Sequence, residues 1–210
     1  MDEQRTDGWF EDRLGRVTAS CIYKVMARLK SGKPSADRDN YIAQLVTERL
    51  TGCRSESFSS SAMQWGVDQE DRARAAYEFN HGLTVVETGF VQHPTIEMSG
   101  ASPDGLVGYA GLVEIKAPNS ATHIATLTGA PIDRKYLLQM QWQMACTDRE
   151  WCDFASFDPR LPLEMQLHVE RVKRDDALIS EIETEVKALL AEVEATVADL
   201  TARYLQKEAA

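Results

Sequence analysis

In SPDGLVGYAGLVEIKAP, residues 102–118, two short half-apolar runs, Leu106 to Gly108 and Leu112 to Lys116, flank Tyr109, Ala110 and Gly111. Such a pattern predicts a tight hairpin, with glycine where the turn needs positive φ. With Gly108 facing Leu112, Asp104 lies opposite Lys116 and one step diagonal from Glu114, their β-carbons roughly 5–8 Å apart. Side chains alternate along a strand, so Glu114 and Lys116 share one face while Ile115 points into the core.

Two carboxylates at that distance repel, and one ammonium is a poor remedy where a large anion must also approach. A divalent cation serves better. Mg²⁺ takes oxygen ligands at about 2.0–2.1 Å, commonly one or two carboxylates with waters and substrate phosphate. Asp104 and Glu114, with the main-chain carbonyl of Ile115, supply such a set. Lys116 stands beside it to hold or deprotonate an attacking water, because a metal and partial burial lower an ammonium pKa. The chemistry expected is hydrolysis of a phosphodiester. A Glu-x-Lys pair is equally at home on a solvated strand, and Asp in Pro-Asp-Gly is an ordinary turn residue, so the hairpin needs support from the rest of the chain.

The chain has 210 residues, 43% of them hydrophobic, enough to bury the core of one globular domain. Its apolar runs are short of membrane-spanning length and MDEQRTDGWF is too polar for a signal peptide, so a cytoplasmic location is the expectation. Cys21, Cys53, Cys146 and Cys152 form no CxxC pair and have no histidine at zinc-ligand spacing; buried reduced thiols are expected. The formal net charge of −10 argues against a nucleic-acid partner until its distribution is read. Arg13, Arg16, Lys24, Arg28, Lys30 and Lys33 occur with no acid between Arg13 and Ala36, whereas acids crowd the segment from Asp175 onward. The acidity belongs to the far end, and the N-terminal segment is left to face phosphates.

Periodicity and caps predict helices over 2–14, from Thr18-Ala19-Ser20 to about Leu29, over 37–51 ending at Gly52, and over 60–80 with a cap at Ser59, Ser60 or Ser61. Strands follow near 83–92 and 97–101, then the hairpin, helices at 119–129 and 134–147, strands at 151–157 and 165–172, and a long terminal helix. This order predicts an α/β sandwich with a mixed sheet. In the terminal helix, Ile179, Ile182, Val186, Leu189, Val193, Val197 and Leu200 form a seam that suits a coiled coil but is explained more cheaply by a helix lying on its own domain.

Three further stretches bear on chemistry. Gln64-Trp65-Gly66-Val67-Asp68-Gln69-Glu70 puts Glu70 on a helix, either facing the carboxylate site or on the solvated side opposite Ala73, Ala76 and Tyr77. Tyr136 to Trp142 sets Gln139 and Gln141 among large apolar residues, where a buried amide must find a partner. Arg13-Leu14-Gly15-Arg16-Val17-Thr18-Ala19-Ser20 offers an arginine suited to gripping phosphate and a capped helix start with free N–H groups; an ordinary cap beside a surface arginine reads the same.

Pro103-Asp104 followed by Glu114-Ile115-Lys116 resembles the PD-(D/E)xK nuclease motif. With RLGRVTAS, WGVDQE, QMQW and Phe157-Asp158-Pro159-Arg160 in this order, residues 9–175 resemble the phage lambda exonuclease family, the YqaJ-like viral recombinase nucleases. The resemblance implies a restriction-endonuclease-like α/β core in a single nuclease domain over 1–210, with 175–210 a C-terminal acidic helix. It implies two Mg²⁺ ions, replaceable by Mn²⁺, held by Asp104, Glu114 and the carbonyl of Ile115. Lys116 would orient the attacking water, with Glu70 and Gln139 in support. Arg13, Ser20 and Ser102 match the family's 5′-phosphate pocket, Met63 its apolar wedge, and Lys30, with Arg28 nearby, its contact to the duplex. Met replaces a branched wedge and Lys a fork-shaped Arg at two of these places.

The function so implied is 5′-to-3′ digestion of one strand of linear double-stranded DNA to mononucleotides. It leaves a 3′ single strand, in a homotrimeric ring working with a single-strand annealing protein inside a bacterial host cell. Hydrolysis would be in-line, with two metals about 3.5–4 Å apart. A restriction-type or structure-specific endonuclease would share the metal core and would also cut closed circles. A non-catalytic DNA-end binding module would not need the intact Asp104, Glu114 and Lys116 set.

Overall fold

A computed structural model describes residues 4–55 and 61–205, the side chain of Met63 excepted. The N-terminal half supplies α1 (Asp7–Arg13), β1 (Val17–Thr18), a 3₁₀ turn (Ala19–Cys21), α2 (Ile22–Val25), α3 (Ala36–Thr51), α4 (Ser61–His81), β2 (Val85–Val86) and β3 (Val91–Gln92). The rest comprises β4 (Ser99–Ala101), β5 (Gly105–Val107), β6 (Gly111–Lys116), α5 (Ser120–Leu127), α6 (Arg134–Thr147), β7 (Trp151–Phe157), β8 (Leu167–Lys173) and α7 (Asp176–Leu200). The expected α/β architecture with a mixed sheet is present. A five-stranded sheet runs β2-β5-β6-β7-β8, and β1-β4-β3 forms a smaller one. In the larger sheet only β6 and β7 are parallel, which requires the crossover that α5 and α6 provide.

β6 is interior to the larger sheet and reads as an alternating strand with two different partners. Val113 and Ile115 pack with Ala73 and Tyr77 of α4, whereas Leu112 packs with Met140 and Met144 of α6. Both faces are therefore covered, and Glu114, on the α6 face, is fully buried. The opposite side of α6, Leu138, Trp142 and Cys146, joins α2, α3 and α7 in the largest apolar cluster.

The hairpin register differs from the expected one. Val107 pairs with Gly111, Leu106 with Leu112 and Gly105 with Val113, so the loop is Gly108, Tyr109 and Ala110 rather than Tyr109 to Gly111. Gly108 takes φ +54°, and Arg149 clamps the turn by donating to the carbonyls of Gly108 (2.6 Å) and Gly111 (3.1 Å). Gly111 lies under the Trp151 ring, where a β-carbon would come within 2.1 Å of the indole. Continued past Gly105, this register sets Asp104 beside Glu114 rather than Lys116.

Several expectations are corrected: in place of one strand over 83–92 there are two short ones, β2 in the larger sheet and β3 in the smaller, separated by residues 87–90. α1 begins only at Asp7, capped by the Thr6 hydroxyl accepting from Trp9 N–H. After Thr18 the chain makes a 3₁₀ turn and one short α-helix instead of a helix to Leu29, and neither start receives a side-chain cap. Cys53 is exposed and Cys21 half-buried, so of the expected buried thiols only Cys146 and Cys152 are found. The proposed cap of α4 at Ser59 or Ser60 lies outside the described residues. α7 lies on its own domain, with Ile179, Ile182, Val186, Leu189 and Val193 all buried. No helix among the described residues is long and apolar enough to cross a membrane.

Candidate active site

The C-terminal end of β6 carries Glu114 and Lys116, and the loop before β5 brings Asp104 beside them. Asp104 Oδ2 accepts the main-chain N–H of Ile115 at 2.7 Å, which ties the two carboxylate-bearing segments together. Glu114 has partners at both oxygens. Oε1 accepts from Lys116 Nζ and from Gln139 Nε2 (2.6 Å), and Oε2 accepts from Gln143 Nε2 (2.6 Å). Gln139 and Gln143 are one turn apart on α6 and therefore project from the same face.

Two carboxylates in this cluster face one ammonium. Burial first, and the charge of Glu114 second, push the Asp104 carboxyl well above its ordinary range, with Lys116 opposing. For Lys116, burial works against the ammonium, but the charges of Glu114 and Asp104 outweigh it and raise its pKa. The lowered value expected from the sequence presupposes a bound metal; with the protein's own groups alone, two carboxylates act on one ammonium and raise it.

Glu70, on α4, also raises the proton affinity of Asp104, so it stands near the site. Its own carboxylate is engaged by Arg5 and by Arg74 (3.2 Å). Among the described residues no group of three His, Cys, Asp or Glu side chains forms a metal cage. Two carboxylates and a main-chain carbonyl are a sufficient protein share for Mg²⁺, which keeps several waters and takes the rest from phosphate. The donor set, hard oxygen throughout with an excess of negative charge, fits that ion.

A concavity of about 430 Å³ is lined by Trp9, Arg13, Ser20, Lys24, Tyr41 and Arg54 among others. Arg13 Nη1 donates to Ser102 Oγ at 3.1 Å, and Trp9 Nε1 donates to the same oxygen at 2.9 Å. The Arg13 guanidinium lies 4.2 Å from the centre of the Trp9 ring. Among the described residues no carboxylate pairs with Arg13, and burial lowers its pKa, the condition of a cation poised for an anion. Glu48 also lines this space, but its oxygens are occupied by the N–H groups of Gly15, Gln44 and Ser55. Ser20 sits in the 3₁₀ turn, its hydroxyl 3.4 Å from that of Thr18. Ser102 precedes Asp104 by two residues, so the acceptor of Arg13 and Trp9 lies on the segment that leads to the carboxylates.

Arg28 is paired with Glu185 of α7 and donates to the carbonyls of Val25 and Ala27. Lys30 is exposed. Met63 falls within α4, its side chain outside the described set. Sequence reasoning missed Trp9 and Gln143. Each stood one helical turn from a residue already singled out, Arg13 and Gln139 respectively, and that spacing was the available signal.

A mixed sheet with an Asp, a Glu-x-Lys strand and a glutamine-bearing helix defines the PD-(D/E)xK nuclease class. Residues 8–150 match the YqaJ-like viral recombinase domain, and the chain belongs to that family. It is similar to LHK-Exo, an alkaline exonuclease from Laribacter hongkongensis. Two crystal structures of LHK-Exo, one in complex with dAMP, superpose at TM-score 0.88 with 51% and 50% identity, covering 96% of this chain and 99% of theirs. A phage related exonuclease from Haemophilus somnus 129PT shares the fold at TM-score 0.68 and 17% identity, over 88% of this chain and 96% of that one. An uncharacterized protein, R354, of Acanthamoeba polyphaga mimivirus is 28% identical over 167 residues. That match takes in 72% of this chain and 28% of R354, so the chain spans little more than a quarter of that relative's length.

Proposed function

We propose that this protein is a Mg²⁺-dependent exonuclease that degrades the 5′-phosphorylated strand of linear double-stranded DNA in the 5′-to-3′ direction. The observation that carries the reading is the joining of Asp104, Glu114, Lys116 and Gln139 in one cluster, with Ser102, two residues before Asp104, accepting from Arg13 of the anion-suited concavity. The alkaline exonuclease relative, crystallised with a mononucleotide, supports it.

In this reading Asp104, Glu114 and the Ile115 carbonyl hold the cations, which when bound stabilise charge on the phosphate and acidify the attacking water. Lys116 and Gln139, freed in part from Glu114 Oε1, position that water. Glu70 lends further negative charge at the edge of the site. Arg13, Ser20 and Ser102 receive the terminal 5′-phosphate. Lys30 and Arg28 serve as duplex contacts, with Arg28 exchanging Glu185 for DNA, and Met63 is the wedge at the end base pair. The chain acts as a single nuclease domain in a homotrimeric ring, in the cytoplasm of a host cell. The 3′ single strand it leaves passes to an annealing protein.

The test is one time course with Mg²⁺ on 5′-phosphoryl linear duplex, 5′-hydroxyl linear duplex and closed circular DNA. Release of mononucleotides from the first, slower release from the second and none from the third is expected. Cutting of the closed circle overturns the reading in favour of an endonuclease.

A further inference from the structure

Gln143 is fully buried near the middle of α6, flanked by Met140 and Met144 of the apolar layer. Its Nε2 gives one bond, to Glu114 Oε2 at 2.6 Å. Its Oε1 is buried with no hydrogen-bond partner among the described residues. A half-satisfied amide in such surroundings is costly, and a leucine or methionine would fill the volume without the unpaired carbonyl. What the amide supplies in return is control of one carboxylate oxygen.

The two oxygens of Glu114 are thereby made unlike. Oε2 is sealed behind Gln143. Oε1 faces Lys116 and Gln139, both only partly buried, and so lies on the side a cation from solvent must reach. We propose that Gln143 is a positioning residue that restricts Glu114 to ligation through Oε1, and so biases the site toward small octahedral cations and against Ca²⁺. The inference rests on the reading of Glu114 as a metal ligand. Ca²⁺ accepts six to eight oxygens and often takes both oxygens of a carboxylate, whereas Mg²⁺ and Mn²⁺ are served by single-oxygen ligands. Two-oxygen ligation would have to bring the cation against Oε2 as well, on the side that the fully buried Gln143 closes off.

The experiment compares the full-length wild type, Gln143→Met and Gln143→Asn without DNA. Calorimetric titration with MnCl₂ and with CaCl₂ gives two affinities for each, and thermal melting in chelator gives stability. Methionine removes the donor together with the unpaired carbonyl; asparagine keeps an amide but withdraws it from Oε2. If methionine does not fold, asparagine reads the same quantity. The expected result is a fall in the ratio of Mn²⁺ to Ca²⁺ affinity by about tenfold or more, whatever the change in metal-free melting temperature. An unchanged ratio overturns the proposal, as does equal weakening of both cations alongside a lowered melting temperature, the signature of a merely structural residue. If the wild type binds neither cation, the reading of Glu114 as a metal ligand fails, and the proposal with it.

Discussion

Ile115 donates its main-chain N–H to Asp104 Oδ2 at 2.7 Å, and this bond holds Asp104 in place just beyond the last ladder pair, Gly105 with Val113. The peptide adjoining Glu114 thus serves as the clasp that brings a second negative charge to it. A clasp of this kind keeps two carboxylates together against their own repulsion, a cost that a cation bound as proposed would relieve.

Asp104→Asn should therefore melt higher than wild type at neutral pH without metal, while losing cleavage. The sign follows from the raised carboxyl pKa, caused first by burial and second by Glu114. A group whose folded pKa lies above its unfolded value gives stability at low pH that is lost as pH rises. The advantage of asparagine should accordingly vanish as pH is lowered toward the ordinary value of 3.8. Glu114→Ala is expected to act oppositely on stability, because it strips Lys116, Gln139 and Gln143 of their acceptor. Melting curves in chelator across pH 4 to 8 check both, and a wild type more stable than Asp104→Asn throughout would refute the first.

Asp158 makes a second, simpler pH prediction. Its carboxylate is fully buried, which opposes charge, but bonds from Arg160 and the Ser120 hydroxyl outweigh the burial and bring its pKa down to about 2. A depressed carboxylate contributes stability above its ordinary pKa and loses it as pH falls through the folded value. Arg160 also reaches the carbonyl of Pro118 at 3.1 Å and lies 4.6 Å over the Trp65 ring, tying the segment after Lys116 to α4. Arg160→Met should move acid unfolding to higher pH, read by circular dichroism between pH 5 and 2. A superimposable acid limb would show that Asp158 does not depend on Arg160.

Truncation after Leu190 tests α7. It removes Val193, fully buried in the main apolar cluster, and Glu192, which pairs with the buried Arg38. Burying a valine is worth about 1.5–3 kcal/mol, and Arg38 would lose its carboxylate as well. The truncated chain should unfold at lower urea yet retain cleavage at 25 °C, because α7 packs against α2, α3 and α6 and bears none of the site. A folded but inactive truncation would assign α7 a part in the site or in assembly.

Much of this arrangement was legible in the residues. Alternation in LVEIK marked β6, and Gly52 marked the end of α3, where it takes φ +64°. The loop of the hairpin was misplaced because both Gly108 and Gly111 satisfy a turn rule locally. The choice between them is made by Arg149 and Trp151 from a distant element. Charge was harder still. Arg28 read as part of a basic N-terminal face, but Glu185 of the acidic helix folds back upon it, as Glu192 does upon Arg38. Composition separated the two signs along the chain, and only tertiary packing reunites them.

In the proposed function, direction of travel depends on Arg13, since a metal site alone does not say which way along DNA to move. Arg13 and Trp9 both donate to Ser102 Oγ, so Ser102 keeps one of its partners when Arg13 is removed, and the segment leading to Asp104 stays anchored. Arg13→Ala should then spare the carboxylates while removing the cation that receives the phosphate left after each cut. A hydrogen bond to a charged group is worth about 1.5–3 kcal/mol, which corresponds to roughly ten- to a hundredfold in the preference for 5′-phosphoryl over 5′-hydroxyl ends. The variant is expected to cut distributively, with that preference lost and Mg²⁺ dependence intact. Trp9→Phe, which keeps a ring beneath Arg13 but drops the donor to Ser102, should weaken the preference less. Initial rates of wild type and both variants on the two end types decide the matter, and a preference unchanged in Arg13→Ala would place the phosphate pocket elsewhere.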